Sequence, residues 1–229
     1  MKIIFLNAWR GKLEEKIRSY LVKELTETEV FCLQEGDGPM KKIVQEVFSN
    51  YQISSAERDI TDDSHLCPTN CFKNGIEVVV SKGIMENNFD LGFGLYSQIK
   101  TEGGLMNFAN IHGLPRPGHK LDTPERLRQS EEIIRFMDKV EGKKIIGGDF
   151  NILPEAESIK MFEKNGYVDL IKEFGIKNTR NKYVWDKYPE TKLYYSDYLF
   201  VSPEIKVKSF EVPDVEVSDH LPLILEIED

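Results

Sequence analysis

"IIGGDFNILP", residues 145 to 154, begins as a buried strand and ends in polar chemistry. Residues two apart in a strand share a face. Asp149 and Asn151 are therefore expected to point the same way, with Phe150 turned back into the core. Gly147 and Gly148 leave room for another backbone segment or a ligand to approach. Pro154 stops the run. The stretch reads as a rigid post that carries a carboxylate and a carboxamide at its tip.

The same device recurs outward from this post. Asn7 ends "KIIFLN" (2–7), and Gln34 with Glu35 ends "EVFCLQ" (29–34). Asn110 and His112, on one face, end "GLMNFANIH" (104–112). Asp197 interrupts the apolar "LYYSDYLFVS" (193–202). "VSDHLP" (217–222) sets Asp219 and His220 ahead of a last strand, "LILEIE" (223–228). Adjacent strand residues face opposite ways, so an irregular turn is needed for both to reach one site. Taken singly, each has an ordinary reading: Asn7 a turn cap, Glu35 a solvated charge, Asp197 a surface ion pair, His112 a core histidine. In this order, each at a strand end, they point to one site.

Helical spacing over 12–25 (Leu13, Ile17, Leu21, Leu25), 39–48 and 155–165 predicts helices between the strands. Another starts at Thr123 as N-cap, with Pro124 at the first helical position and Glu125 beside it. "GIEVVVSK" (75–82) is strand-like, and 91–100 pairs with 104–112 through a tight turn at 101–104. Helices outside mixed β-sheets fit this order.

Composition places the chain in context. It has 229 residues, 40% hydrophobic and 30% charged, and is expected to form one domain over 1–229 and to be monomeric. No apolar run is long enough to span a membrane, and "MKIIFLNAWRG" is too short in apolar residues for a signal peptide. A cytoplasmic location is expected. Cys32 reads as a small core residue. His65, Cys67 and Cys71 in "HLCPTNC" match no familiar zinc spacing and read as a loop with incidental thiols. The acidic stretch 57–72, with Asp59, Asp62 and Asp63, reads as a solvated loop or a lid. Net charge is −9. That disfavours attraction to a nucleic-acid backbone, although a bound divalent cation reverses the field locally.

The ordered set Asn7, Gln34-Glu35, Asn110-Ile111-His112, Gly148-Asp149-Phe150-Asn151, Asp197 and Ser218-Asp219-His220 resembles the endonuclease/exonuclease/phosphatase superfamily, from residue 2 to about 228. The resemblance implies an α/β fold: a four-layer α/β/β/α sandwich of two mixed sheets face to face, with helices outside and the site at one end between the sheets. It implies Glu35 as the principal metal ligand with Asn7 beside it, and Asp219 as a second metal or metal-shell carboxylate. It further implies Asp149 and Asn151 engaging the attacking water and the phosphate, Asp197 orienting His220, and His112 contacting the phosphate. AP endonucleases carry a tyrosine at the His112 position and an arginine just before Asp197. Both departures argue against an abasic-site enzyme. The chain is also shorter than most members, which implies trimmed substrate-gripping loops.

Phosphate esters resist attack because they are anionic and their leaving oxygen is poor. A hard cation held by oxygen ligands addresses both problems, and such ligands select Mg2+ or Mn2+. A histidine moves a proton near neutral pH, and a partner carboxylate fixes its tautomer. The expected activity is Mg2+-dependent hydrolysis of a phosphodiester or phosphomonoester by direct attack of water. The sequence leaves open whether Asp149 or His220 takes the proton. Arg116, His119 and Lys120 in "GLPRPGHKLD" (113–122) form a basic cluster expected to meet the substrate. That substrate is expected to be a small metabolite, a nucleotide or a lipid head group. A DNA nuclease is the alternative, and a catalytically silent binding module the second. Arg126 and Gln129 are read as tying the following helix to this loop, and Trp9 as a wall of the site or a core aromatic.

Overall fold

In β1 (Lys2–Asn7), Ile3 and Phe5 turn to one side, Ile4 and Leu6 to the other, and all four are buried. A strand covered on both faces belongs to the inside of a layered structure. The computed structural model describes residues 1–61 and 64–228. After β1 come α1 (Glu14–Glu24), β2 (Val30–Gln34), α2 (Pro39–Val47), β3 (Tyr51–Ser55), β4 (Arg58–Thr61), β5 (Ser64–Leu66), β6 (Thr69–Lys73), β7 (Glu77–Ile84), β8 (Phe93–Thr101) and β9 (Gly104–His112). The second half holds α3 (Pro124–Met137), β10 (Lys143–Asp149), α4 (Glu157–Lys164), β11 (Val168–Asp169), α5 (Leu170–Glu173), α6 (Lys182–Trp185), β12 (Asp197–Val201), β13 (Val207–Glu211) and β14 (Leu223–Ile227).

Two six-stranded sheets form, in the orders β13-β14-β1-β2-β6-β3 and β11-β12-β10-β9-β8-β7. Each is mixed: β1 and β2 are parallel, as are β9 and β10, while the other pairings are antiparallel. Ile3, Phe5, Val30, Cys32 and Phe72 of the first sheet share a core with Phe108, Ile145 and Leu199 of the second. The Phe72 and Phe108 rings meet edge-on at 5.7 Å. On the outer side of the first sheet, Ile4, Leu6, Phe31 and Leu33 pack under Ile17 and Leu21 of α1 and Met40 and Ile43 of α2. Residues of α3 and α4 cover the second sheet's outer side, where Phe136 meets Tyr96 and Phe162 stacks on Phe200. The result is the four-layer sandwich of two mixed sheets.

The glycines of the opening stretch serve packing. A Cβ on Gly147 would lie 3.0 Å from the Phe5 ring and 2.3 Å from Leu199 Cδ1. Gly148 has φ +127°, and a Cβ there would lie 2.2 Å from the Ile111 carbonyl oxygen. What approaches is neighbouring strand and core, not a ligand.

Three local expectations shift. The strand expected over 193–202 begins only at Asp197. Cys71 belongs to β6, paired with β2, and Cys67 is also free and buried. Part of the expected loop is therefore sheet, because Thr69, Asn70, Cys71 and Phe72 are all buried there. Asp59 lies in β4, while Asp62 and Asp63 fall outside the described residues. Among the described residues, no helix is long and apolar enough to cross a membrane.

Candidate active site

Strand register brings the polar ends together. Asn7 pairs with Gln34 across β1 and β2. Asp149 pairs with His112 on one side and with Asp197 on the other. Paired neighbours share a face, so both sheets aim these ends into the gap between them. Gln34 and Asn110 fill the floor: Gln34 Nε2 donates to Asn110 Oδ1 at 2.6 Å, and Asn110 Nδ2 donates to Asn70 Oδ1 at 2.9 Å. The turn before β14 is irregular, as required. Ser218 Oγ donates to the Asn7 carbonyl at 2.7 Å and accepts from the His220 N–H.

His220 Nδ1 lies 2.9 Å from each oxygen of Asp197, and both residues are buried. Its Nε2 faces Asp149 Oδ2 at 3.6 Å and Asp219 Oδ1 at 3.8 Å. His112 Nε2 approaches the same Asp149 oxygen at 3.9 Å, and its buried Nδ1 has no hydrogen-bond partner among the described residues. Asp149 is well held: it accepts from Asn7 Nδ2 at 3.0 Å, the Asn151 N–H at 2.9 Å and the Ser196 hydroxyl. Among the described residues Glu35 has one side-chain donor, Asn7 Nδ2 at 3.2 Å. Asn7 thus turns its nitrogen to both carboxylates, while its oxygen accepts from the Trp9 N–H at 3.0 Å.

Environment separates the charges. Burial works to push the Asp149 carboxyl up, but His220, His112, Arg180 and Lys120 hold it well below the usual carboxylate range. Burial and Arg180 work to lower His220, but Asp197, Asp149 and Asp219 raise it above its ordinary value. Burial raises Asp197 against the pull of His220. Burial also raises Glu35, against His112 and His220 and with Asp219.

Glu35, His112, Asp149, Asp219 and His220 line a cavity of about 540 Å³, with buried Asp197 behind the His220 ring. Of the seven non-glycine residues with positive φ among those described, five line it: Trp9, Arg10, Glu35, Lys120 and Asn151. Left-handed backbone at such residues is strained and clusters at functional sites. Asn151 reaches the cavity through this φ of +57° and not through strand pleat. Of the expected basic cluster, only Lys120 lines the cavity. It donates to Asn151 Oδ1 and to the Pro115 carbonyl, and burial pushes its pKa down to about 8. Arg116 and His119 are exposed and outside the lining, because the Pro/Gly turn carries them outward. Buried Arg126 donates to the Leu121, Leu114 and Pro117 carbonyls, and Gln129 accepts from the Gly92 and Leu114 N–H groups, tying helix to loop. Trp9 walls the cavity.

Sequence reasoning missed Ser196, Thr179 and Arg180. Thr179 Oγ1 accepts the N–H groups of Ser196 and Asp197, and Arg180 lines the cavity. The only advance signal for Ser196 was its place beside Asp197. Thr179 and Arg180 lie on an irregular segment with no periodicity to flag them.

Asp149, Asp197 and His220 place ligand atoms within 4.8 Å of one another, close enough to hold a metal ion. In that trio, however, the imidazole and the Asp197 carboxylate already satisfy each other, and Asp149 has three donors. Glu35 has one side-chain donor among the described residues.

The model for the Endonuclease/Exonuclease/phosphatase family matches residues 5–220. No curated protein matches the sequence. Among solved structures, the chain is similar to an endonuclease/exonuclease/phosphatase from Bacteroides vulgatus (17% identity, TM-score 0.79, covering 99% of this chain and 98% of that one). It is also similar to the mannosyl-6-phosphatase Bt3783 of Bacteroides thetaiotaomicron (16%, 0.75, 100% and 100%). The catalytic domain of human Nocturnin with bound sulfate is a third (18%, 0.74, 100% and 93%). These alignments run nearly the full length of both partners, so against these structures the chain is not a shortened version. The matching family model, together with the two-sheet sandwich, shows that the chain belongs to the endonuclease/exonuclease/phosphatase family.

Proposed function

We propose that the protein is a Mg2+-dependent hydrolase of phosphate esters that works by direct attack of water on a small phosphorylated substrate. The carrying observation is one cavity lined by Glu35, Asp149 and His220, with buried Asp197 held against the His220 ring from behind. Oxygen donors without thiolate fit a hard divalent cation, and Glu35 would hold it. When bound, the cation neutralises phosphate charge and stabilises the leaving oxygen.

The remaining work falls to the chain. Two titratable groups pushed in opposite directions divide into acid and base. Asp149, kept ionised, orients the water and accepts its proton. His220, kept upright by Asp197 and raised in pKa, offers an Nε2–H to charge developing on phosphate oxygens. His112, Asn151 and Lys120 grip the same phosphate. A cleft that collects Arg10, Lys120 and Arg180 within an acidic protein draws a small anion without favouring a long polyanion.

A panel of phosphomonoesters, phosphodiesters and plasmid DNA, each with Mg2+ and with chelator, tests the reading. Chelator-sensitive turnover of small esters with intact plasmid is the expected result. Efficient plasmid nicking would favour a nuclease, and no turnover of any substrate would favour a silent binding module.

A further inference from the structure

Arg180 lines the cavity beside His220, and its fixation is elaborate. The Thr179 and Arg180 N–H groups donate to the Tyr194 carbonyl at 2.8 and 3.2 Å. The Arg180 backbone bridges to His220, Leu221 N donates to the Thr179 carbonyl at 2.8 Å, and Asn181 Nδ2 donates to the Ser218 carbonyl at 2.7 Å. The segment is thus stitched along the turn that carries Asp219 and His220. Arg180 Nη2 donates to Asp219 Oδ2 at 2.7 Å, and Nε donates to the Asp219 backbone carbonyl at 3.1 Å. The two side chains are only 11% and 13% exposed.

Arginine carries five N–H donors in a planar fork. Those bonds to Asp219 use one edge of it, and Nη1 makes no hydrogen bond among the described residues, although the side chain lines the cavity. A partly desolvated guanidinium with an open edge beside His220 is a ready donor to a planar or tetrahedral oxyanion. The same ion pair engages Asp219. A carboxylate oxygen committed to a guanidinium at 2.7 Å is poorly available to a metal, so fixed positive charge already stands where a second cation would be called for.

We infer that Arg180 is a phosphate-gripping residue that replaces a second metal, so that the site works with one divalent cation on the Glu35 side and takes its other positive charge from the protein. This rests on the phosphohydrolase reading above and assigns Asp219 to holding Arg180 in place of coordinating a metal. Lys120, on the Asn151 side of the cavity, supplies the matching cation.

Two titrations of the whole chain test it without turnover. Calorimetry with Mn2+ is expected to give one ion per chain, and two ions would overturn the inference. Titration of inorganic phosphate into the Mg2+-loaded protein is expected to weaken tenfold or more in Arg180→Gln. Equal affinity in wild type and variant would overturn it. Should Arg180→Gln fail to fold, judged by its thermal melt, Arg180→Lys carries the test. It keeps the charge but cannot span Asp219 and phosphate at once. At least threefold weaker phosphate binding is expected, and unchanged binding contradicts the inference. If both titrations succeed while no ester is hydrolysed, the proposed activity fails and this inference stands.

Discussion

Lys120 shows how burial sets function at a single residue. Desolvation favours its neutral form, so the ammonium is present below a pKa of about 8 and lost above it, even with Asp149 nearby pulling the other way. If Lys120 grips phosphate, KM for a small ester rises about thirtyfold between pH 7 and 9.5, as the protonated fraction falls with a pKa of about 8. Lys120→Arg, whose charge persists throughout, should flatten that rise. Identical KM–pH curves for the two proteins would remove Lys120 from the binding site. Residues of this kind were partly visible in sequence. The basic cluster was legible as composition, but which member turns inward depends on a left-handed φ of +57° at Lys120 that no pattern encodes.

Among the elements, β10 carries the most information. Its period-two alternation placed Asp149 correctly, and its glycines marked close packing. Gly148→Ala is expected to cost about 2–4 kcal/mol, from a clash with the Ile111 carbonyl added to strain at φ +127°. Gly104→Ala in the hairpin turn also has a positive φ, but a Cβ there meets nothing within 4 Å. It should cost only about 1 kcal/mol of backbone strain. Thermal melts of the two variants compare clash with strain directly, and equal losses would show that the Ile111 contact does not matter. The long strands, the hairpin and helices α1 to α4 were legible because their apolar periods are regular. The edge strands β3, β11 and β13 and the short helices α5 and α6 were not. A two-residue strand or a one-turn helix is held by tertiary contacts and caps, such as the Asp169 and Asn181 side chains accepting from the N–H groups that follow them.

For the whole molecule, the decisive fact is convergence. Asn7, Glu35, His112, Asp149, Asp197 and His220 come from strand ends scattered over the chain, and two sheets facing each other deliver them to one gap. Sequence order showed that such ends exist. Only the registers Asn7 with Gln34, and Asp149 with both His112 and Asp197, show how they share a face. The acidic surface and the local cations in the cleft belong to the same scale, since they set which anions approach. The most direct test of the account is Mg2+-dependent turnover of a small phosphate ester by wild type, Glu35→Ala, His220→Ala and the exposed control Arg116→Ala. The two cavity variants are expected to lose about 10²–10⁴-fold or more in kcat while the control stays within about twofold. Wild-type turnover in folded Glu35→Ala and His220→Ala would contradict it.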